Sequence, residues 1–296
     1  MYTSYTPEIF KLDDPDGYIK YLDEHGYVVI DDIIEDSVRA QLVEKFWECW
    51  MECSPNFDRN DKSTWNIKNS PMMFAKGMAV FSGLPHCDFA WATRLHPNIK
   101  RVFSHIHGTD KLCTSFDGFS VFFTKDQHPP KWLHTDQHPS NTEYCIQGAY
   151  NFLPVTESSA GFIVVPGSHK ETRDTKKSGD WVPVDDDTRA VKLLVPHNTL
   201  VLWNSKTVHA NTGMTSKEVR LDRLTCYITY LPKKYRSKQV LERKILAYIE
   251  SNGTSHWANR CELKKYPWGF GPNYESRNFT KLKTNVEVPV EHIRVF

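Results

Sequence analysis

The chain has 296 residues, 40% of them hydrophobic, so it can bury a substantial core as one large domain or two small ones. Its 37 lysines and arginines nearly balance 36 aspartates and glutamates, and the net charge of +1 argues against nucleic acid as the default partner. Seven scattered cysteines indicate reduced thiols, and no signal-like or membrane-spanning segment is evident, so we expect a cytoplasmic protein without a membrane partner.

The N-terminal part of the chain, about residues 1–115, is predicted to be mainly helical. Segment 17–26 has helical periodicity and ends at a glycine typical of a helix C-terminus, and a short strand follows at 27–30. In segment 36–50 hydrophobic residues recur at the spacing of one helix face. A further helix is predicted over 96–108.

From about residue 116 to 235 the pattern changes to short segments rich in β-branched and aromatic residues, separated by Gly, Pro and Asn. Many short strands in succession favour a sandwich or jelly roll closed over a pocket. Residues 236–296 supply a C-terminal helix and an aromatic-rich tail, so the fold class is predicted to be α+β, with helices flanking a β core. The predicted strands are 118–123, 131–137, 146–153, 161–167, 190–195, 198–203, 207–210 and 223–232.

The segment KWLHTDQH, residues 131–138, carries the first candidate metal ligands. If the segment is a strand, alternation places His134 and Asp136 on one face and Thr135 on the other. One imidazole and one carboxylate suit a divalent metal of intermediate hardness. A second histidine from another strand would complete a two-histidine, one-carboxylate site with open coordination positions.

His209 is the best candidate for that second histidine, because it follows an apolar strand and a short loop and emerges on the next strand. His197 and His169 lie in evident turns and are interpreted as loop residues. His138 directly precedes Pro139, where the strand ends, so we interpret His138 as a histidine of the surface or of the surroundings of the site.

Two nearby arginines are candidates for binding the carboxylate of a co-substrate. Arg223 begins the predicted strand 223–232, and an arginine at the inner mouth of a barrel can form a bidentate pair with a carboxylate. Arg220 lies in the polar loop TSKEVRLD, which is more typical of a solvated charge. The sequence therefore favours Arg223.

The chain resembles the phytanoyl-CoA dioxygenase-like branch of the iron(II)- and 2-oxoglutarate-dependent oxygenases. The resemblance lies in the order and spacing of WLHTDQ, IQGAYNFLP, SSAGFIVVPGSHK, NTLVLWNSKTVHANTG and RLTCYITYLP. The segment YLDEHGYVVIDDIIEDS is similar to the entry helix and strand of that family, so the likeness covers about residues 15–235. It implies a double-stranded β-helix (jelly roll, cupin-like) core within a single oxygenase domain over 1–296.

The resemblance also implies the ligands of the site. Iron would be bound by His134, Asp136 and His209, and 2-oxoglutarate would chelate the iron while an arginine holds its far carboxylate. The motif RLTCYITYLP selects Arg223 for this role, whereas the usual family spacing from the distal histidine selects Arg220.

Further expectations follow from the same resemblance. Dioxygen is the second co-substrate, ascorbate is a supporting reductant, and 2-oxoglutarate is converted to succinate and carbon dioxide while a small-molecule substrate is hydroxylated. Tyr150 matches an aromatic residue that lines the co-substrate pocket of the family. Related halogenases replace the carboxylate at Asp136 with a small residue, so its presence favours hydroxylation. Trp181, Trp257 and Trp268 are candidate cavity residues, and neither the substrate nor the oligomeric state is predicted.

The same strands admit other functions. A nucleic-acid demethylase of the superfamily would have arginines where this chain has Thr215 and Leu221, and protein hydroxylation is a further alternative. A catalytically silent jelly roll could bind a carbohydrate or small acid, but the intact ligand set favours an enzyme. A zinc hydrolase would need a general base, and no His-Glu-x-x-His helix supplies one.

Overall fold

The computed structural model of the protein describes residues 2–74, 77–129, 131–265, 281–283 and 288–296. It has the predicted α+β architecture, with helices packed on a jelly-roll core of two large sheets. Among the residues described, no helix combines the length and the apolar character needed to cross a membrane. The candidate cavity residue Trp268 lies outside the described ranges.

The first helix shows how local sequence sets the element boundaries. The Asp14 side chain accepts a hydrogen bond from the Gly17 backbone N–H at 3.0 Å, and Pro15 occupies the first turn. The helix ends at Gly26, whose φ of 77° lies in the left-handed region that favours glycine. The helices are α1 Pro15–His25, α2 Asp36–Cys53, α3 Asp88–Arg94, α4 Pro97–His107, α5 Lys238–Ile249 and α6 Val290–Ile293.

The strands are short, as the Gly, Pro and Asn residues between the predicted segments indicate. They are β1 Thr3–Tyr5, β2 Ile9–Phe10, β3 Tyr27–Ile30, β4 Met78–Ala79, β5 Leu112–Thr114, β6 Phe119–Phe122, β7 His134–Thr135, β8 Ile146–Asn151, β9 Gly161–Val164, β10 Val182–Pro183, β11 Val191–Leu193, β12 Thr199–Asn204, β13 His209–Thr212, β14 Arg223–Pro232, β15 Gly253–Thr254 and β16 Leu263–Lys264. Most of those between residues 116 and 235 coincide with predicted segments. In contrast, β1, β2, β4, β5, β10, β15 and β16 were not predicted, because two or three residues carry no readable alternation.

Two large sheets form the core. The six-stranded sheet has the order β1-β11-β9-β13-β7-β10, and the eight-stranded sheet has the order β2-β3-β12-β8-β14-β6-β4, with β5 paired to β14. The N-terminal part is therefore less purely helical than the sequence pattern indicates, because β1 to β5 all come from it and complete the two sheets. Strands β15 and β16 pair with each other in a separate two-stranded sheet.

An apolar cluster fills the space between the two large sheets. Tyr27, Trp203 and Tyr227 reach it from the eight-stranded sheet, and Phe162 and Val164 reach it from the six-stranded sheet. Because side chains alternate along a strand, the next residues on β12 and β14 point to the opposite face of the eight-stranded sheet. This inner cluster borders the candidate site described below.

A second and larger cluster covers the outer face of the eight-stranded sheet with helices. Phe46 and Trp50 of α2 and Phe89 of α3 surround Phe119 of β6, and the ring centroids of Phe89 and Phe119 lie 5.2 Å apart. Burying each such side chain contributes about 1.5–3 kcal/mol. The helices thus hold the outer face rigid, and the inner face is left to form the site.

Candidate active site

His134 and Asp136 lie at the end of a strand that is shorter than predicted. Strand β7 contains only His134 and Thr135, between β13 and β10 in the six-stranded sheet, and Asp136 follows it in a bend. The Asp136 backbone N–H donates to the Ser205 carbonyl at 2.9 Å, which fixes the bend. Strand alternation alone therefore does not place Asp136, because the bend after the strand orients its carboxylate.

His209 lies directly opposite His134 across the antiparallel β13–β7 pair. The candidate ligand atoms of His134, Asp136 and His209 all lie within 4.8 Å of one another. The Asp136 carboxylate is 3.5 Å from Nε2 of His134 and 3.2 Å from Nε2 of His209. The structure thus brings together all three residues that the sequence singled out, although His209 is far from the other two along the chain.

Hydrogen bonds set the orientation of both imidazoles. Nδ1 of His134 is 2.7 Å from the Trp132 carbonyl oxygen, and Nδ1 of His209 is 2.9 Å from the Thr207 carbonyl oxygen. Because a carbonyl oxygen only accepts, each Nδ1 must carry the hydrogen, and each Nε2 keeps its lone pair toward Asp136. Both histidines are therefore prepared as neutral metal ligands.

The surroundings favour a neutral His134 beside a charged Asp136. Burial lowers the pKa of His134 to about 4. Burial alone would raise the pKa of Asp136, but attraction to the His134 and His209 imidazoles in their protonated forms holds it well below its usual range. Gln147 also donates from Nε2 to Asp136 Oδ2 at 3.0 Å, which fixes the carboxylate. Two neutral imidazoles and one carboxylate are the donor set of non-haem iron(II) oxygenases, so the residues fit such an ion.

Aromatic rings hold the two imidazoles in place. The Trp132 ring stacks on His134 with centroids 4.7 Å apart, and Trp203 and Phe162 lie 5.3 Å and 5.6 Å from the His209 ring. These contacts exclude water from one side of the cluster and restrict both side chains to one arrangement.

Arg223 is buried with most of its hydrogen-bonding capacity unused. It is 2% exposed, its Nε donates to Thr225 Oγ1 at 3.2 Å, and Thr225 in turn donates to Asn151 Oδ1 at 3.0 Å. Its terminal nitrogens Nη1 and Nη2 are buried and have no partner among the described residues. Burial lowers the pKa of Arg223. A guanidinium fixed at Nε with a free fork is suited to a bidentate carboxylate.

Arg220 occupies a different environment. Its guanidinium is paired with Asp222 at 2.9 Å and with the exposed Glu218 at 2.9 Å. Since these carboxylates already bind its fork, Arg220 is not positioned as the co-substrate arginine. Of the two arginines, Arg223 is the one whose terminal nitrogens have no partner among the described residues, so it stays the candidate.

Tyr150 lies on the wrong face of β8 to line the co-substrate pocket. Its ring packs in the outer, helix-covered cluster, and its hydroxyl donates to Asn198 Oδ1 at 2.7 Å. Gln147 and Ala149 on the same strand point inward, so alternation directs Tyr150 outward. The predicted role of Tyr150 is corrected accordingly.

A cavity of about 880 Å³ opens beside the three candidate ligands. Trp181 and Trp257 line it, as predicted. Nδ1 of His138 is 2.7 Å from the Ser140 hydroxyl and Nε2 is 3.0 Å from the Lys177 carbonyl, so His138 stands apart from the cluster.

Several residues that line the cavity were not predicted from the sequence. Tyr227 lines the cavity four positions after Arg223, a spacing that strand alternation could have revealed, and Asn211 donates to its hydroxyl at 2.8 Å. Asp117 and His256 also line the cavity. No local pattern marks these two residues, because they approach from loops distant in sequence.

The fold and the site together define the class of protein: a jelly-roll oxygenase that uses iron and 2-oxoglutarate. Residues 22–221 match the family described as Phytanoyl-CoA dioxygenase (PhyH), and the chain belongs to this family. It is therefore a 2-oxoglutarate-dependent dioxygenase, as the sequence motifs predicted.

The chain is also similar to individual proteins over most of its length. The Ava biosynthesis cluster protein O of Aspergillus versicolor is 26% identical over 261 residues, which cover 79% of this chain and 83% of that protein. Among solved structures, the non-heme alpha ketoglutarate dependent carbocyclase SnoK has 17% identity and a TM-score of 0.51, over 72% of this chain and 82% of that one. The epimerase SnoN, solved with Fe3+, alpha ketoglutarate and nogalamycin RO, has 14% identity and a TM-score of 0.52, over 74% and 84%. The two structures share the fold.

Proposed function

We propose that His134, Asp136 and His209 bind Fe(II), that Arg223 binds the far carboxylate of 2-oxoglutarate, and that the enzyme oxidises a small molecule held in the adjacent cavity. The observation that supports this most directly is the convergence of the three ligand atoms within 4.8 Å at the wall of that cavity. The free guanidinium fork of Arg223 supports the co-substrate site independently.

Each of these residues and its hydrogen-bond partners has a defined part in the proposal. The Nδ1 hydrogen bonds to Trp132 and Thr207 keep both imidazoles in the tautomer that presents Nε2 to the ion. Gln147 holds the Asp136 carboxylate in place. Arg223 anchors the co-substrate, and the aromatic walls exclude water from the reacting groups.

A bound iron ion would supply the redox chemistry, in which oxidation of the substrate by dioxygen is coupled to decarboxylation of 2-oxoglutarate. In the balanced reaction, 2-oxoglutarate, dioxygen and a C–H bond give succinate, carbon dioxide and a C–OH bond. Hydroxylation is the outcome we propose, since Asp136 occupies the position that related halogenases leave to a small residue. The descriptions of SnoK as a carbocyclase and SnoN as an epimerase make product analysis essential.

We further infer a single oxygenase domain in a cytoplasmic protein. Strands from residues 3–30 pair within the same two sheets as the strands of the region 116–235, which supports one folding unit. All seven cysteines are free and buried, as is usual in a reducing compartment.

The iron site is tested by anaerobic addition of Fe(II) and 2-oxoglutarate, with the visible metal-to-ligand charge-transfer band as the readout. We expect the band in the wild-type protein and its loss in Asp136→Ala. His138→Ala is the matched control, because His138 lies in the same motif but outside the cluster, and it should keep the band. A normal band in Asp136→Ala, or no band in the wild type, would refute the proposed ligands.

The reaction is tested by a screen for succinate release across candidate metabolites, followed by mass spectrometry of the product. A gain of one oxygen atom supports hydroxylation. A loss of two hydrogens, or an isomer of unchanged mass, would retain the oxygenase chemistry and overturn the hydroxylase proposal.

A further inference from the structure

The hairpin of β15 and β16 forms part of the cavity wall, although it belongs to neither of the two large sheets. It also lies outside the region 22–221 that matches the family. The cavity residues that the hairpin supplies are Ser255, His256, Trp257, Glu262, Leu263 and Lys264. This part of the wall is therefore built by a segment that the family match does not include.

Contacts on both sides of His256 fix the hairpin against the core. The Thr254 backbone N–H donates to the Phe116 carbonyl at 2.9 Å, and Thr254 Oγ1 accepts from the Phe116 backbone N–H at 3.0 Å. Beyond His256, the Arg260 guanidinium lies 4.0 Å from the centroid of the Trp257 ring. The turn that carries His256 is thus held at both ends.

Two neighbouring side chains of this turn keep polar atoms without a partner. Nε2 of His256 and Oγ of Ser255 are buried and accept or donate no hydrogen bond among the described residues. Burial lowers the pKa of His256, so the imidazole is neutral and provides one donor and one acceptor. A buried polar atom left unpaired costs about 1–3 kcal/mol, which favours a partner from a bound ligand. We call Ser255 and His256 the polar pair.

Other unpaired polar atoms of the cavity wall have surroundings that already explain them. Trp203 Nε1 and Asn211 Oδ1 have no partner in the described part of the chain, but both residues lie close to the proposed iron and co-substrate groups. The Trp203 ring is 5.3 Å from the His209 ring. Trp257 Nε1 is unpaired as well, and its ring is fully buried in an apolar cluster with Leu231. The polar pair is what the cavity leaves for a substrate.

The polar pair lies beside the proposed iron site without belonging to it. His256 is not among the three residues whose ligand atoms converge within 4.8 Å, yet electrostatic attraction to the Asp136 carboxylate reaches its imidazole. Aromatic side chains surround the remaining space, and they pack well against flat rings. These side chains are Trp132, Phe162, Trp181 and Tyr227. A ring system bound there would place a polar substituent within reach of His256.

We propose that the substrate is a ring-containing small molecule with an uncharged oxygen, as a hydroxyl or a carbonyl group, and that His256 and Ser255 bind this oxygen. The proposal rests on the proposed function, since it names the substrate class of that same site. Such an oxygen would pair with the polar pair without burying a charge, while the aromatic walls bind the ring. The polar pair is then a specificity-determining element that the hairpin adds to the jelly roll.

Three probes that share one bicyclic ring test this directly: indane, 1-indanone and 1-indanol. Dissociation constants are measured by anaerobic equilibrium dialysis on wild-type enzyme loaded with Fe(II) and 2-oxoglutarate. We expect the ketone or the alcohol to bind about tenfold more tightly than indane, although indane is the most hydrophobic of the three. The tighter of the two oxygen probes identifies the group. Equal affinity, or preference for indane, shows that water pairs with these atoms and overturns the proposal, as does the absence of binding by all three probes.

His256→Phe keeps an aromatic ring and removes both nitrogens. It should abolish the preference for the oxygen probe and leave the affinity for indane unchanged, which also shows that the variant is folded. Glu262→Gln is the matched control, because Glu262 lies on the same hairpin and in the same cavity but is paired with Arg260 at 3.5 Å. If His256→Phe retains the preference, or Glu262→Gln also loses it, the polar pair is not the oxygen site.

A smaller change covers the case in which His256→Phe also weakens the binding of indane. Ser255→Ala should then reduce the preference, and an unchanged preference in that variant overturns the proposal. The charge-transfer band is recorded on every sample. A preference without the band refutes the iron site and leaves the polar pair standing, whereas the band without a preference does the reverse.

Discussion

The two faces of strand β14 (Arg223–Pro232) differ in how completely the fold satisfies their polar groups. On the outer face, Ile228 packs in the helix-covered cluster, and the Tyr230 hydroxyl donates to the Arg94 carbonyl at 2.8 Å. On the inner face, Arg223 keeps two buried nitrogens without a partner among the described residues, and Tyr227 borders the cavity. The outer face therefore stabilises the protein, whereas the inner face leaves buried donors that the proposed co-substrate would pair.

The largest effect is expected from Arg223→Met on the inner face. Removing the guanidinium deletes the proposed anchor of the co-substrate, so the KM for 2-oxoglutarate should rise more than about 100-fold. In the absence of co-substrate, the free energy of unfolding should not fall. The substitution removes a buried charge that has no counter-ion, and burying such a charge is unfavourable. Steady-state succinate release measures the first quantity and urea denaturation the second. Arg220→Met is the control, and a larger KM effect there would reverse the assignment.

Ile228→Ala should give the opposite result on the outer face. Ile228 is fully buried, so its truncation should lower the free energy of unfolding by about 2–5 kcal/mol. The KM for 2-oxoglutarate of the folded fraction should stay close to the wild-type value, because the change leaves the inner face intact. Urea denaturation and steady-state kinetics below the transition test both parts. A large rise in KM would show that the two faces are not independent.

Gln147→Leu removes an inner-face group that acts through Asp136. The variant loses the 3.0 Å hydrogen bond to the carboxylate, and Fe(II) affinity should weaken about tenfold. Competition with a chelator measures that affinity, and the KM for 2-oxoglutarate at saturating iron should be unchanged. Unaltered iron affinity would show that Asp136 is held in place by other contacts.

The smallest effect is expected from Tyr150→Phe on the outer face of β8. The variant loses the hydrogen bond to Asn198, whose side chain also bonds the Ile34 backbone N–H at 2.9 Å, and should be about 1 kcal/mol less stable. Binding of 2-oxoglutarate should not change. A clear rise in KM would instead support the role that the family resemblance implied for Tyr150.

The sequence predicted elements whose signals are local. Helix α1 was readable because its glycine cap lies next to its periodic segment, and β3 because it follows immediately. The metal-binding residue types were also readable, since His134 and Asp136 are separated by a single residue. Family motifs then identified His209 and Arg223, which periodicity alone left as the best of several candidates.

What the sequence could not decide is which face of a buried strand points to the cavity. All residues of β8 and β14 are buried, so no apolar-polar alternation marks the inner side, and Tyr150 was assigned to the wrong one. The convergence of His134 with His209, the bend that orients Asp136 and the approach of Asp117 all depend on sheet pairing between distant segments. Local sequence therefore determined the elements and the kinds of ligand, and only the tertiary structure decided which side chains share the cavity.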